Sequence, residues 1–124
     1  VSPAAWLTGA ALGLPAAAVL LVNNLRDREP DLRAGRRTLA AVLGDRGSRR
    51  AYVLLMLLPF AALPVLAHWG RDGIWLAALA LPFSLVLARR LLSGLAGPAL
   101  NRQLALTAQA ALLFALLAAL GMLY

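Results

Sequence analysis

Long apolar runs separated by short polar segments divide the chain into four blocks. The runs cover roughly residues 3–22, 51–68, 74–88 and 104–124. A helix needs about 20 apolar residues to cross a hydrocarbon core about 30 Å thick, so we interpret each run as a membrane span. The third run is short, but Arg89 and Arg90 at its end can extend to the headgroup region. The pattern predicts an all-α integral membrane bundle of four transmembrane helices.

The composition supports a lipid environment. Hydrophobic residues make up 62% of the chain and charged residues 14%, whereas a globular protein has about 45–50% and about 25%. The absence of cysteine excludes disulfides and cysteine-based metal sites. A net charge of +7 could indicate a nucleic-acid partner, but the basic loop at residues 23–50 has no interleaved aromatic residues on which bases could stack. We therefore predict a bilayer as the surroundings and no nucleic-acid partner.

The arginines predict the orientation of the spans. Eight of the twelve fall in residues 23–50 and three more in residues 89–102. If the spans alternate in direction, these eleven lie on one side, which is the distribution typical of the cytoplasmic face. We therefore expect the loop at residues 23–50 to be cytoplasmic and the C-terminus to lie outside.

The long loop contains signals of local order. Thr38 is a candidate N-cap for a short apolar turn at residues 39–43, and Gly44 is a candidate C-cap. Ser48 could cap the second span and Asn101 the fourth, since short polar side chains before an apolar run favour a helix start. We expect this segment to fold over the end of the bundle.

Three polar residues after the first span are spaced like the ligands of a metal site. Asn23, Asp27 and Asp31 follow one another at intervals of four residues, so on a continuous helix they share one face. Mg²⁺ is commonly held by one or two carboxylates together with substrate phosphates. Arg36 and Arg37 could then bind a diphosphate through charge-assisted hydrogen bonds. The segment is thus a candidate site for Mg²⁺ and a diphosphate.

The same segment has a simpler interpretation. Charged residues beside a span are often a solvated face that only sets topology, and the chain would then be a non-catalytic multispan protein such as a transporter component. Pro30 also bears on the candidate site, because it removes a backbone donor and disfavours helical angles at Glu29. We therefore expect the helix to end before Asp31.

Residues 22–52 resemble the second aspartate motif of the UbiA superfamily, most closely that of the 1,4-dihydroxy-2-naphthoate polyprenyltransferases of menaquinone synthesis. The family pattern is Asn-Asn-x-Arg-Asp-xxx-Asp-xxx-Gly-Lys-Arg-Thr-Leu, and this chain reads Asn-Asn-Leu-Arg-Asp-Arg-Glu-Pro-Asp-Leu-Arg-Ala-Gly-Arg-Arg-Thr-Leu. Arg36 replaces the usual lysine, which keeps the charge but changes its geometry. The resemblance implies a nine-helix membrane enzyme in which two aspartate motifs face a central cavity.

The first of those two motifs does not occur before Asn23. Residues 1–124 are therefore expected to form the C-terminal half of a UbiA-type domain and to be a piece of a longer protein. Such a half should be inactive alone, with the N-terminal half of the same enzyme as its partner.

The resemblance also implies an activity. It is the Mg²⁺-dependent transfer of a polyprenyl group from polyprenyl diphosphate to 1,4-dihydroxy-2-naphthoate, giving demethylmenaquinone, in the inner membrane of a bacterium. Transfer to another aromatic acid acceptor stays open. The implied catalytic residues and Mg²⁺ ligands are Asp27 and Asp31. The implied diphosphate-binding residues are Asn23, Asn24, Arg26, Arg36 and Arg37.

Overall fold

The computed structural model describes residues 2–123, and all regular structure in that range is helical. Four segments of this range are long and apolar enough to cross a membrane. The prediction of an all-α bundle with four spans is thus confirmed, although Tyr124, at the end of the last predicted span, lies outside the described residues. The elements are α1 (Pro3–Arg26), α2 (Arg28–Arg33), α3 (Leu39–His68), a 3₁₀ helix (Asp72–Ala80), α4 (Leu81–Leu92) and α5 (Ala99–Met122).

The helix α3 extends further toward the N-terminus than the apolar run predicts. Thr38 is its N-cap, as expected, and its hydroxyl accepts a hydrogen bond from the amide of Ala41 at 3.1 Å. Gly44 interrupts the helix with φ 75° and ψ 177°, a left-handed backbone that favours glycine. The short apolar turn and the membrane-crossing part of α3 are therefore two helical pieces that meet at Gly44.

Two predicted caps are wrong. Ser48 lies inside α3, because the helix resumes directly after Gly44. Asn101 is the third residue of α5, which begins at Ala99 after Pro98. Pro98 has φ −60° and ψ −24°, angles that already suit a helix, so the proline and not the asparagine determines where α5 starts.

The third span has two parts. It begins as the 3₁₀ helix and continues as α4, with Pro82 in the first turn of α4. Proline lacks an N–H and is tolerated in the first turn of a helix, where that group would have no partner in any case. The change of helix type at Leu81 therefore coincides with the position of Pro82.

The bundle has two ends, which differ in what lies between the helices. The end that carries residues 23–37, here called the motif end, contains a core around Leu21, Tyr52 and Leu91. The opposite end, here called the turn end, contains the turn at residues 69–71 and a core around Leu63 and Phe114. The helix α1 packs against α3 and α5, and the 3₁₀ helix packs against α5. These contacts bring the ends of α1 and α2 and the start of α5 together at the motif end.

A buried hydrogen-bond network joins three helices at the motif end. Gln103 donates through Nε2 to the carbonyl oxygen of Leu87 at 2.8 Å and to the hydroxyl of Tyr52 at 3.1 Å. The hydroxyls of Tyr52 and Thr107 are 2.7 Å apart, and Arg90 donates through Nε to Gln103 Oε1 at 3.2 Å. Buried polar groups are costly without partners, so these bonds specify how α3, α4 and α5 meet.

Candidate functional site

The candidate site begins where α1 changes into α2. The helix α1 ends at Arg26, and Asp27 leaves helical geometry only slightly, with φ −96° and ψ 12°. The amide of Asp27 still donates to the carbonyl of Asn23 at 3.1 Å, and that of Asp31 to the carbonyl of Asp27 at 2.9 Å. Asn23, Asp27 and Asp31 therefore keep a spacing of one turn across the junction.

Pro30 does not have the effect expected from the sequence. The helix does end before Asp31, but a second helix, α2, begins at Arg28 and includes it. Pro30 is the third residue of α2, where a backbone N–H has no partner within the helix. The break thus falls at Asp27, and Asp31 keeps a helical backbone.

Arg26 connects three side chains at this junction. Its guanidinium forms a two-bonded ion pair with Asp27, with Nε–Oδ1 at 3.0 Å and Nη2–Oδ2 at 3.1 Å. It also donates to Asn23 Oδ1 at 2.6 Å and to Asn101 Oδ1 at 3.1 Å. The hydrogen bond from Arg26 holds the pKa of the Asp27 carboxyl below its ordinary value. Asp27 is therefore a fixed carboxylate at neutral pH.

The end of α2 brings Arg36 to Asp31. Gly35 has φ 76°, its amide donates to the carbonyl of Leu32 at 3.1 Å, and the amide of Arg36 donates to the carbonyl of Asp31 at 2.9 Å. This pair of bonds around a left-handed glycine is a Schellman motif. The chain therefore turns back, and Arg36 Nη1 reaches Asp31 Oδ1 at 3.2 Å.

The two aspartates differ in their exposure. The side chain of Asp31 is 12% exposed and that of Asp27 is 41% exposed, whereas that of Arg36 is 72% exposed. Asp27 and Arg36 are thus open to a ligand, and Asp31 is held beneath Arg36. The side-chain hydrogen bonds within residues 2–123 do not include Asn24 or Arg37.

Sequence reasoning missed the role of Asn101. The pattern predicts a helix cap there, but its side chain accepts a hydrogen bond from Arg26, which lies 75 residues earlier. A signal was available, because the orientation of the spans places the start of the last span beside the residue 23–50 loop. An asparagine at this position can either cap its own helix or bind a residue of another helix, and the residue type alone does not show which role applies.

A third ion pair lies beside the site. Arg49 is buried and binds Asp45 through Nε and Nη2 at 3.0 and 3.1 Å, and its Nη1 donates to the carbonyl of Leu91 at 2.7 Å. The spacing of four residues on one helix favours such a pair. The bond to Leu91 fixes the end of α4 against α3.

The donor atoms of the site fit a hard divalent cation that is shared with a diphosphate. Within residues 2–123, no three side chains of His, Cys, Asp or Glu form a metal-binding group, but Mg²⁺ needs only one or two carboxylates when substrate phosphates supply further oxygens. A carboxylate has about four acceptor positions. Asp27 uses two of them for Arg26 and Asp31 one for Arg36. Both aspartates thus retain acceptor positions for a metal.

Comparisons with known proteins match this chain to one family. Residues 1–102 match the model of the UbiA prenyltransferase family. The chain is 35% identical over 121 residues to the 1,4-dihydroxy-2-naphthoate octaprenyltransferase of Escherichia coli, an alignment that covers 96% of the chain and 39% of that protein. It is 37% identical over 79 residues to UbiA prenyltransferase domain-containing protein 1 of Gallus gallus and of Xenopus tropicalis, covering 64% of the chain and 24% and 23% of those proteins. No solved structure gives a significant match.

The chain spans 39% of the length of the bacterial relative and about a quarter of the two vertebrate ones. The family model covers residues 1–102, which is most of the chain and includes the whole α1–α2 site. The chain therefore belongs to the UbiA prenyltransferase family.

Proposed function

We propose that the protein containing this chain transfers a polyprenyl group from polyprenyl diphosphate to 1,4-dihydroxy-2-naphthoate, releasing diphosphate and CO₂ and giving demethylmenaquinol, the reduced form of demethylmenaquinone. The observation that carries the proposal is the series Asn23, Asp27 and Asp31, which keeps its one-turn spacing through two backbone hydrogen bonds. The name of the bacterial relative supports the acceptor. Another aromatic acid is the alternative acceptor.

Asp27 and Asp31 are the proposed Mg²⁺ ligands. Dependence on a divalent metal is general in the family, and Mg²⁺ is the ion that suits two carboxylates beside a diphosphate. When bound, the ion would stabilise the negative charge that develops on the departing diphosphate. Arg26 keeps Asp27 ionised and oriented through its two-bonded pair.

The arginines of the loop are the proposed diphosphate ligands. Arg36 is mostly exposed while one Nη holds Asp31, so its remaining donors can bind phosphate oxygens. Arg37, which is exposed, and the amides of Asn23 and Asn24 would add further donors. Such preorganised donors stabilise charge on the leaving group. The ring then attacks the allylic carbon as the C–O bond to the diphosphate breaks, and the ring carboxyl leaves as CO₂.

A second aspartate motif would come from an N-terminal half of the same enzyme. We expect residues 1–124 alone to be inactive, since one motif supplies only part of the metal and diphosphate ligands. The distribution of arginines favours a cytoplasmic position for the loop at residues 23–50 and an outer C-terminus. The site would then lie where a soluble diphosphate can leave.

Substitution of either aspartate tests the proposal. In the complete polypeptide, Asp27→Asn and Asp31→Asn should each lower kcat/KM for prenyl transfer by at least about 100-fold, since each removes a charge that acts in the transition state. The measurement is Mg²⁺-dependent transfer from labelled polyprenyl diphosphate, with and without EDTA.

A matched control distinguishes the site from charge loss in general. Asp72 is exposed at the turn end, so Asp72→Asn should leave transfer unchanged. Full activity of both motif variants, with folding intact, would contradict the site assignment. Activity on a different aromatic acid with none on 1,4-dihydroxy-2-naphthoate would instead correct the acceptor.

A further inference from the structure

A second basic pocket adjoins the candidate site. It has a volume of about 390 Å³ and lies between the α1–α2 junction, the start of α3 and the segment that leads into α5. It shares only Arg26 with the site described above. Its charged lining residues are Arg26, Arg28, Glu29, Arg33, Asp45 and Arg49.

The positive charges of this pocket are incompletely matched. Asp45 is already paired with Arg49, and Arg26 with Asp27 outside the pocket. Among residues 2–123, Arg28 and Arg33 take part in no ion pair, and Glu29 is likewise unpaired. Four arginines line the pocket beside two carboxylates, so the lining has a net positive charge.

Arg28 supplies a second, independent observation. Its Nε is buried from solvent and has no hydrogen-bond acceptor within the described residues. A buried donor on a charged group is expensive to leave without a partner. Arg28 lines the pocket, so a guanidinium group with an unmatched donor borders it.

We propose that this pocket binds a phosphate group in the absence of any metal, with Arg28 and Arg33 as its principal ligands. Arginine donates two parallel hydrogen bonds to phosphate oxygens and binds them more specifically than lysine does. The pocket lies at the end of the membrane-crossing part of α1, which is the level of lipid headgroups. A headgroup phosphate and a free phosphate or diphosphate offer the same chemistry there.

The experiment compares variants of the complete polypeptide in EDTA, because the proposed catalytic site needs a divalent metal and this pocket does not. One arm titrates inorganic phosphate and diphosphate by calorimetry. The other counts phosphatidylglycerol retained from nanodiscs of phosphatidylcholine and phosphatidylglycerol by native mass spectrometry. Binding of the soluble anions identifies a free ligand, and retention of the lipid without such binding identifies a headgroup; both support the pocket.

The variants separate the pocket from the general charge of this face. Each arginine that binds the phosphate is expected to contribute about fivefold in affinity, so the double variant R28Q/R33Q should bind about 25-fold more weakly. Arg102 is exposed on α5 outside the pocket, and R102Q should bind as the unaltered protein does. Equal weakening in R28Q/R33Q and R102Q would overturn the proposal.

A gain of binding provides a test that does not depend on the folding of the double variant. Glu29 is exposed and lines the pocket, so Glu29→Gln removes a repelling charge and should strengthen binding by up to about fivefold. Unchanged affinity in Glu29→Gln would overturn the proposal. The catalytic proposal is tested by prenyl transfer in Asp27→Asn and Asp31→Asn, whereas this one is tested by anion binding in R28Q/R33Q without metal, so the two proposals can fail independently.

Discussion

The two ends of the bundle are held together by different physical means. At the turn end, the backbones of Gly73 and Gly121 touch, and the rings of Phe60 and Phe114 meet edge to face at 5.2 Å. At the motif end, side-chain hydrogen bonds centred on Gln103 join three helices. Packing of small residues and interhelical hydrogen bonds are the two means by which helices associate in lipid.

The motif end has to orient charged side chains, whereas the turn end has only to hold helices close together. Close packing fixes the distance between two helices but sets the direction of no polar side chain. Hydrogen bonds have preferred angles, so the network orients the guanidinium of Arg90, and the Arg26–Asn101 contact orients the guanidinium beside Asp27. The candidate site thus lies at the end of the bundle where hydrogen bonds fix the directions of the side chains.

The largest expected effect is a loss of stability when the close contact at the turn end is disrupted. A Cβ on Gly121 would lie 2.7 Å from the carbonyl carbon of Gly73, so Gly121→Ala forces the 3₁₀ helix away from α5. We expect a loss of about 3 kcal/mol in the free energy of unfolding, measured by unfolding in mixed detergent. Gly9 is the matched control, since a Cβ there meets no atom within 4 Å, and Gly9→Ala should not destabilise. Equal effects of the two substitutions would contradict the close contact.

A smaller effect is expected at the motif end. Gln103→Leu removes the partner of Tyr52, Arg90 and the Leu87 carbonyl, and we expect a loss of about 1–2 kcal/mol. Interhelical hydrogen bonds in membranes contribute less than buried ones in soluble proteins, so the value lies near the lower part of the soluble range.

Gln109 provides the control for that substitution. It lies on the same helix but is exposed, so Gln109→Leu in the same unfolding assay should leave stability unchanged. If Gln103→Leu is no more damaging than Gln109→Leu, the motif end is not held by its polar network.

The smallest effect is a pH dependence confined to the motif end. The hydrogen bond from Arg26 lowers the pKa of Asp27 from its ordinary value of 3.8. The stabilisation by this pair is therefore fully present above pH 3.8 and is lost as the pH falls through the lower pKa of the folded state. The difference in stability between the unaltered protein and Asp27→Asn should shrink below about pH 4. A constant difference down to pH 2 would contradict the pair.

The four spans and the one-turn spacing of the two aspartates could be predicted because each depends on a local sequence pattern. The apolar runs gave the four spans, and the interval of four residues between Asp27 and Asp31 survives in the backbone bonds. Thr38 and Gly44 also act where the sequence places them. Each of these features depends on residues within about one helical turn.

The features that sequence reasoning missed depend on distant residues. Arg26 is bound by Asn101, and Arg49 by the carbonyl of Leu91, across separations of 75 and 42 residues. Nothing in the local pattern specifies such partners. The caps assigned to Ser48 and Asn101 failed for a related reason, since a nearby glycine and a proline set the helix boundaries there.

The bond between Arg26 and Asn101 has a consequence for the order of events during biosynthesis. The two residues are 75 positions apart, so at about 5–20 residues per second the ribosome makes Asn101 roughly 4–15 s after Arg26. During that interval the motif leaves the ribosome with one of its contacts missing. The start of the last span must therefore be synthesised before the aspartate motif reaches its final geometry. A nascent chain stopped before residue 101 would contain the motif without the bond between Arg26 and Asn101.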